Sequence, residues 1–188
     1  MGLDFNFARG KQMIVHDPRL NYPSNPPKAL RPPAAYNVWT VSTSDPLRNI
    51  IGWVVAVGKG VGQLDALHIM AHGAPDYVQL GYDGIRWTNV TEFKMLQGLV
   101  KHIVLFSCSV GGATRQGYSL NFGNAIAAYS GAPTVLAYAT QWYVYGGGNV
   151  IDFGAFEGSV YVYTPTGGVK TYNPVGKQQF NMTKTIFG

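Results

Sequence analysis

Leu64-Asp65-Ala66-Leu67-His68-Ile69-Met70-Ala71-His72-Gly73 and Lys101-His102-Ile103-Val104-Leu105-Phe106-Ser107-Cys108-Ser109 are the two stretches whose reading decides the fold. Each contains a short, largely apolar run, Leu67–Met70 and Ile103–Phe106, with no alternation of polar and apolar residues. Both read as strands. Both runs break off at a chemically capable residue with small neighbours, in Ala71-His72-Gly73 and in Ser107-Cys108-Ser109. Side chains just past the carboxyl ends of neighbouring parallel strands converge on one crevice. An imidazole and a thiol are therefore expected at one site.

Working outward, Tyr36–Val41 reads as a strand from its aromatic and β-branched content. A helix is expected over Pro46–Val57, started by Ser44 or Asp45 with Pro46 in the first helical position, and ended by Gly58-Lys59-Gly60. It is apolar on most faces and so predicted to lie buried on a sheet. A short strand over Asp76–Gly81 precedes a turn at Gly84, and a helix runs through Phe93, Leu96 and Leu99. Beyond Cys108, the glycine-rich loop Ser109–Tyr118 leads to a helix over Ser119–Tyr129, a stop at Ser130-Gly131-Ala132, and a strand over Pro133–Thr140. Strands alternating with helices predict an α/β fold with a mainly parallel sheet flanked by helices and right-handed crossovers.

The two ends differ from this middle. Residues 1–35 form a Pro-rich N-terminal arm, with Pro18, Pro23, Pro26, Pro27, Pro32 and Pro33, in which neither a helix nor a central strand is expected. Residues 36–188 read as a single domain whose last part, 142–188, is a β appendage of short strands broken by glycine. In it Val160–Tyr163 and Val169–Tyr172, around Thr164-Pro165-Thr166-Gly167-Gly168, predict an antiparallel β-hairpin.

Composition narrows the function. The chain has 188 residues, 46% of them hydrophobic and only 12% charged, enough apolar surface to bury a core and too much for a disordered chain. The net charge of +5 arises from few acids, Asp+Glu 9, and no Lys/Arg cluster tracks phosphates, so nucleic acid is not an expected partner. The longest apolar run, Ile50–Val57, is well short of the roughly 20 residues that span a bilayer. Met1-Gly2-Leu3-Asp4-Phe5 has neither a basic start nor a long apolar stretch. The expectation is a soluble protein, cytoplasmic or exported without a classical signal peptide.

Cys108 is the only cysteine, which excludes an internal disulfide and a thiolate-rich metal site. His68 and His72 do not form a metal pair either. On a strand they lie about 13 Å apart on one face, and His68 is expected to pack in the sheet. No metal or cofactor is expected. A thiolate attacks carbonyl carbon well, and a neighbouring imidazole can take its proton and later protonate a leaving amine. Gly73 frees an N–H for a developing oxyanion, the N–H of Cys108 offers a second, and Gly111-Gly112 leaves room for an extended peptide. Asp65 and Asp83 are conceivable orienters of His72, whereas His16 and His102 receive no role.

His-Ile-Met-Ala-His72-Gly73, followed by Ile-Val-Leu-Phe-Ser-Cys108-Ser-Val-Gly-Gly, resembles the His-Gly and Cys motifs of the caspase-like (clan CD) cysteine peptidases. The resemblance spans about residues 36–140 and is nearest to small bacterial members, in which the segment after His-Gly runs into a Leu-Gly strand end, here Gln79-Leu80-Gly81. It implies a caspase-like α/β domain with His72 as general base and acid, Cys108 as nucleophile, and the Gly73 and Cys108 N–H groups as oxyanion hole. Metacaspase-like members often carry an acid just before the nucleophile, where Ser107 stands here. Asp152 and Glu157 are candidates to receive a basic substrate side chain, and Arg115 an acidic one.

The resulting expectation is a cysteine endopeptidase acting on a protein or peptide through a thioester acyl-enzyme, within a bacterial effector or toxin domain. An inhibitor, immunity or activating partner is left unspecified. Two other readings use the same residues: an inactive caspase-like binding or scaffold domain, and a Cys/His deamidase or transglutaminase-type acyltransferase.

Overall fold

The computed structural model describes residues 11–20, 37–107, 110, 122–137, 144–145, 151–152 and 160–172. In chain order the elements are β1 (Gln12–His16), β2 (Asn37–Thr40), α1 (Leu47–Val61), β3 (Ala66–Met70), β4 (Gly73–Ala74), β5 (Tyr77–Val78) and a 3-10 helix (Val90–Leu96). They continue with β6 (Ile103–Phe106), α2 (Phe122–Ser130), β7 (Thr134–Ala137), β8 (Val144–Tyr145), β9 (Ile151–Asp152), β10 (Val160–Tyr163) and β11 (Val169–Tyr172).

Seven strands form one sheet in the order β11-β10-β7-β6-β3-β1-β2. From β2 to β7 every neighbouring pair is parallel, and β10 runs antiparallel to both β7 and β11. The mainly parallel α/β sheet and its C-terminal antiparallel hairpin thus appear as the sequence predicts. Every side chain of β3 and β6 is buried, which explains why neither strand alternates. One sheet face carries Met13, Val15, Leu67, Ile69, Ile103 and Leu105, and meets Ile50, Ile51 and Val54 of α1, Phe93 and Leu96 of the 3-10 helix, and Phe122 and Ile126 of α2. Each such side chain contributes roughly 1.5–3 kcal/mol by leaving water. The other face, with Ile14, His16, His68, Met70, Val104 and Phe106, is equally buried.

Three expectations need correction. Residues 12–16 lie in the arm where no central strand is expected, yet β1 is an inner strand, paired with β2 on one side and β3 on the other. The run Met13-Ile14-Val15 is too short to show periodicity, and the Pro-rich stretch that follows from Pro18 hides it. Pairing with a strand on each side, added to the β-branched Ile14 and Val15, makes it a strand. Second, α1 does not stop at Val57 but continues to Val61. Gly58 stays helical because it lies against Leu99, where an added Cβ would come 3.3 Å from the Leu99 Cβ and carbonyl oxygen. The helix is also less enclosed than expected: Trp53 is 52% exposed and tilts against Trp39, with ring centroids 5.7 Å apart. Third, the helix expected through Leu99 is a 3-10 segment ending at Leu96, because Gly98 at φ 73° turns the chain. Val100 then bridges to Leu64 in parallel sense.

Among the described residues no helix is long and apolar enough to cross a membrane.

Candidate active site

His72 stands two residues past the end of β3, at the C-terminal edge of the parallel strands, and is exposed. Its Nε2 lies 3.1 Å from the carbonyl oxygen of Arg19. A carbonyl only accepts, so Nε2 carries the hydrogen and donates it. In the neutral ring the lone pair then sits on Nδ1, which is the atom able to take a proton.

Gly73 begins a tight hairpin, pairing with Val78 while Ala74 pairs with Tyr77. The Gln79 N–H donates to the His72 carbonyl at 2.8 Å. Hydrogen-bonded and non-hydrogen-bonded pairs alternate in an antiparallel ladder, so Gly73–Val78 is of the second kind and the Gly73 N–H points out of the hairpin. The hairpin continues into Gly81 at φ 61°, where an added Cβ would sit 2.3 Å from the Asp45 carbonyl oxygen. Glycine is required there on both counts.

Arg19 is placed by Asp17, which has no exposed surface. Asp17 Oδ1 accepts the Arg19 backbone N–H at 2.9 Å and Nε at 2.8 Å. Its Oδ2 accepts the Arg19 Nη2 at 2.6 Å and the Gly81 N–H at 2.9 Å. The same Nη2 donates to the Gly81 carbonyl at 2.6 Å. All four acceptor positions of the carboxylate are filled. Burial works to raise the Asp17 carboxyl, but the hydrogen bonds from Arg19 and Gly81 outweigh it and hold the group below the usual carboxylate range. The Arg19 guanidinium is raised in turn by its bonds to Asp17.

Neither expected orienter of His72 serves it. Asp65 accepts the Lys11 N–H at 2.8 Å and the Lys101 ammonium at 2.6 Å, tying strand starts together at the other edge of the sheet. Asp83 Oδ2 accepts the Leu47 N–H at 3.1 Å and so caps α1, a task the sequence assigns to Ser44 or Asp45. Pro46 occupies the cap position itself.

His68 packs in the sheet as expected: it is fully buried, stacks on Phe106 at 5.8 Å, and its Nε2 lies 2.7 Å from Gln12 Oε1. Burial pushes its pKa down to about 3. His102 Nδ1 donates to the Asp65 carbonyl at 3.1 Å. His16, at the end of β1, is buried, and among the described residues neither ring nitrogen is at hydrogen-bonding geometry to a partner. Burial holds it below its ordinary value, against the opposing pull of the Leu20 backbone and the Asp17 charge.

Cys108, Gly111, Gly112, Arg115 and Glu157 lie outside the described residues. Ser107, just before the thiol, is buried, and its Oγ has no hydrogen-bond partner among the described residues. Asp152 closes β9, where it pairs with Val144 of β8. Among the described residues no group of three or more His, Cys, Asp and Glu is set to hold a metal ion.

Asp17 and Arg19 are the site residues that sequence reading misses. A signal exists in Met13-Ile14-Val15-His16-Asp17-Pro18, a short apolar run ending in a turn former, as strands before loops do. No protein-family model and no curated protein matches the chain.

Proposed function

We propose that the chain is a caspase-like cysteine peptidase in which Cys108 is the nucleophile and His72 the general base and acid. The observation that carries the reading is strand register. Leu67 pairs with Ile103 and Met70 with Phe106, so the two strands end level, and in the sequence His72 and Cys108 each stand two residues past those ends. Neighbouring parallel strands run about 4.8 Å apart, and segments that leave level strand ends share one crevice, which supports the pairing of an imidazole with a thiol there. The bond from His72 Nε2 to the Arg19 carbonyl supports the reading further, because it leaves Nδ1 as the acceptor.

In this mechanism Nδ1 takes the thiol proton and the thiolate attacks the substrate carbonyl carbon. The Gly73 and Cys108 N–H groups hold the oxyanion. Collapse expels the amine, which leaves with the proton from His72, and a thioester remains on Cys108. Water, deprotonated by His72, attacks the thioester and releases the acid and the thiol. The substrate is a protein or peptide. Arg115, Asp152 and Glu157 stay as candidates for reading its side chains.

The test is alkylation of Cys108, the only thiol, by iodoacetamide across pH, in the wild-type protein and in His72→Ala. Reaction should persist well below pH 8.5 in the wild-type protein and vanish there in the variant. Slow labelling that ignores His72 overturns the dyad and favours a binding module.

A further inference from the structure

We propose that Asp17 and Arg19 form a clamp that sets the tautomer of His72, with Asp17 as a positioning residue acting through the Arg19 backbone. The Asp17 N–H donates to the Met70 carbonyl at 2.9 Å, which fixes the clamp to β3 two residues before His72. The Leu20 N–H donates to the Asp17 carbonyl at 3.1 Å, closing a turn with Pro18 and Arg19 at its centre. Proline sets its own φ, and the bond from the Arg19 N–H to Asp17 Oδ1 sets the peptide that follows. The direction of the Arg19 carbonyl is therefore determined from both sides.

The Arg19 side chain makes the clamp two-sided. Its guanidinium spans from the Asp17 carboxylate to the Gly81 carbonyl, while the Gly81 N–H returns to Asp17. Gly81 ends the segment that starts at His72 and Gly73. One buried carboxylate thus holds both the carbonyl that receives the His72 Nε2 hydrogen and the far end of the loop that carries His72. A side chain that only stabilised the turn would not need the second connection.

The catalytic consequence rests on the proposed His72 role, but the tautomer belongs to the free protein and is read without substrate. The experiment is nitrogen-15 NMR of histidine-labelled protein for the wild type, Asp17→Asn and Arg19→Lys, with folding checked by circular dichroism. The wild-type His72 should be almost wholly the Nε2–H tautomer, and folded variants should show a mixture of both. Arg19→Lys keeps the backbone carbonyl and a positive charge on a side chain that is 33% exposed, so it carries the test if Asp17→Asn does not fold. In the same variants the low-pH alkylation rate of Cys108 should fall roughly 10- to 100-fold. A wild-type Nδ1–H tautomer, or an unchanged Nε2–H population in a folded variant, overturns the clamp. A locked wild-type tautomer beside an unreactive Cys108 sinks the peptidase reading and leaves the clamp standing.

Discussion

The two edges of the parallel sheet each bring an aspartate to a strand end, and they use it differently. At the C-terminal edge Asp17 is wholly buried, fills all its acceptor positions and connects β1 to the Gly81 turn. At the N-terminal edge Asp65 is 36% exposed and meets lysines that water also reaches. Both carboxyls are held below their usual range, Asp17 because its hydrogen bonds outweigh burial and Asp65 chiefly through Lys101. A similar direction of pKa shift therefore hides a large difference in consequence. The buried one organises geometry around His72, and the exposed one ties neighbouring strands at the surface.

Glycines sharpen the contrast most. Gly81→Ala should cost about 4 kcal/mol, because the new Cβ meets backbone at 2.3 Å and φ is positive. Gly62→Ala, near Lys11 at the other edge, also has positive φ but meets only the Lys11 Nζ, at 3.8 Å, and should cost about 1 kcal/mol. Urea titration of both variants checks this, and equal losses would break the comparison.

The aspartates come next. Asp17→Asn should lose about 3 kcal/mol, since it leaves buried donors without their charge partner. Asp65→Asn should lose less than about 1 kcal/mol, and that loss should shrink further in salt. Stability measured at low and high ionic strength separates the two.

Acid reports on the middle of the sheet. Neither aspartate titrates between pH 6.5 and 5, because both are held below the carboxylate range. Over that interval the unfolded chain protonates His68, whereas the folded protein keeps it neutral down to about pH 3. Stability must therefore drop as pH falls, by about 2 kcal/mol from His68 between pH 6.5 and 5. His68→Gln should flatten the slope, leaving the smaller part that the similarly lowered His16 and His102 contribute.

Much of the architecture is legible in the sequence. The apolar runs of β3 and β6, the turn residues between β10 and β11, and Gly131 behind α2 each act through contacts close in the chain or through burial that shows as composition. β1 escapes for the opposite reason: three apolar residues ahead of a Pro-rich stretch become an inner strand only because β2 and β3 receive them. The extension of α1 past Gly58 depends likewise on Leu99, which lies 41 positions further along the chain.

For the site, sequence order and residue chemistry single out His72, Gly73 and Cys108 as the candidates for acyl chemistry. What they do not determine is the partner of His72. The sequence offers carboxylates, Asp65 and Asp83, because only side chains are visible in it. The tertiary structure instead brings a backbone carbonyl from 53 positions away, aimed by a carboxylate buried beside it. Every residue carries the same carbonyl, so no residue type announces which one is used. Its role is decided by the direction that packing and hydrogen bonding impose on the chain.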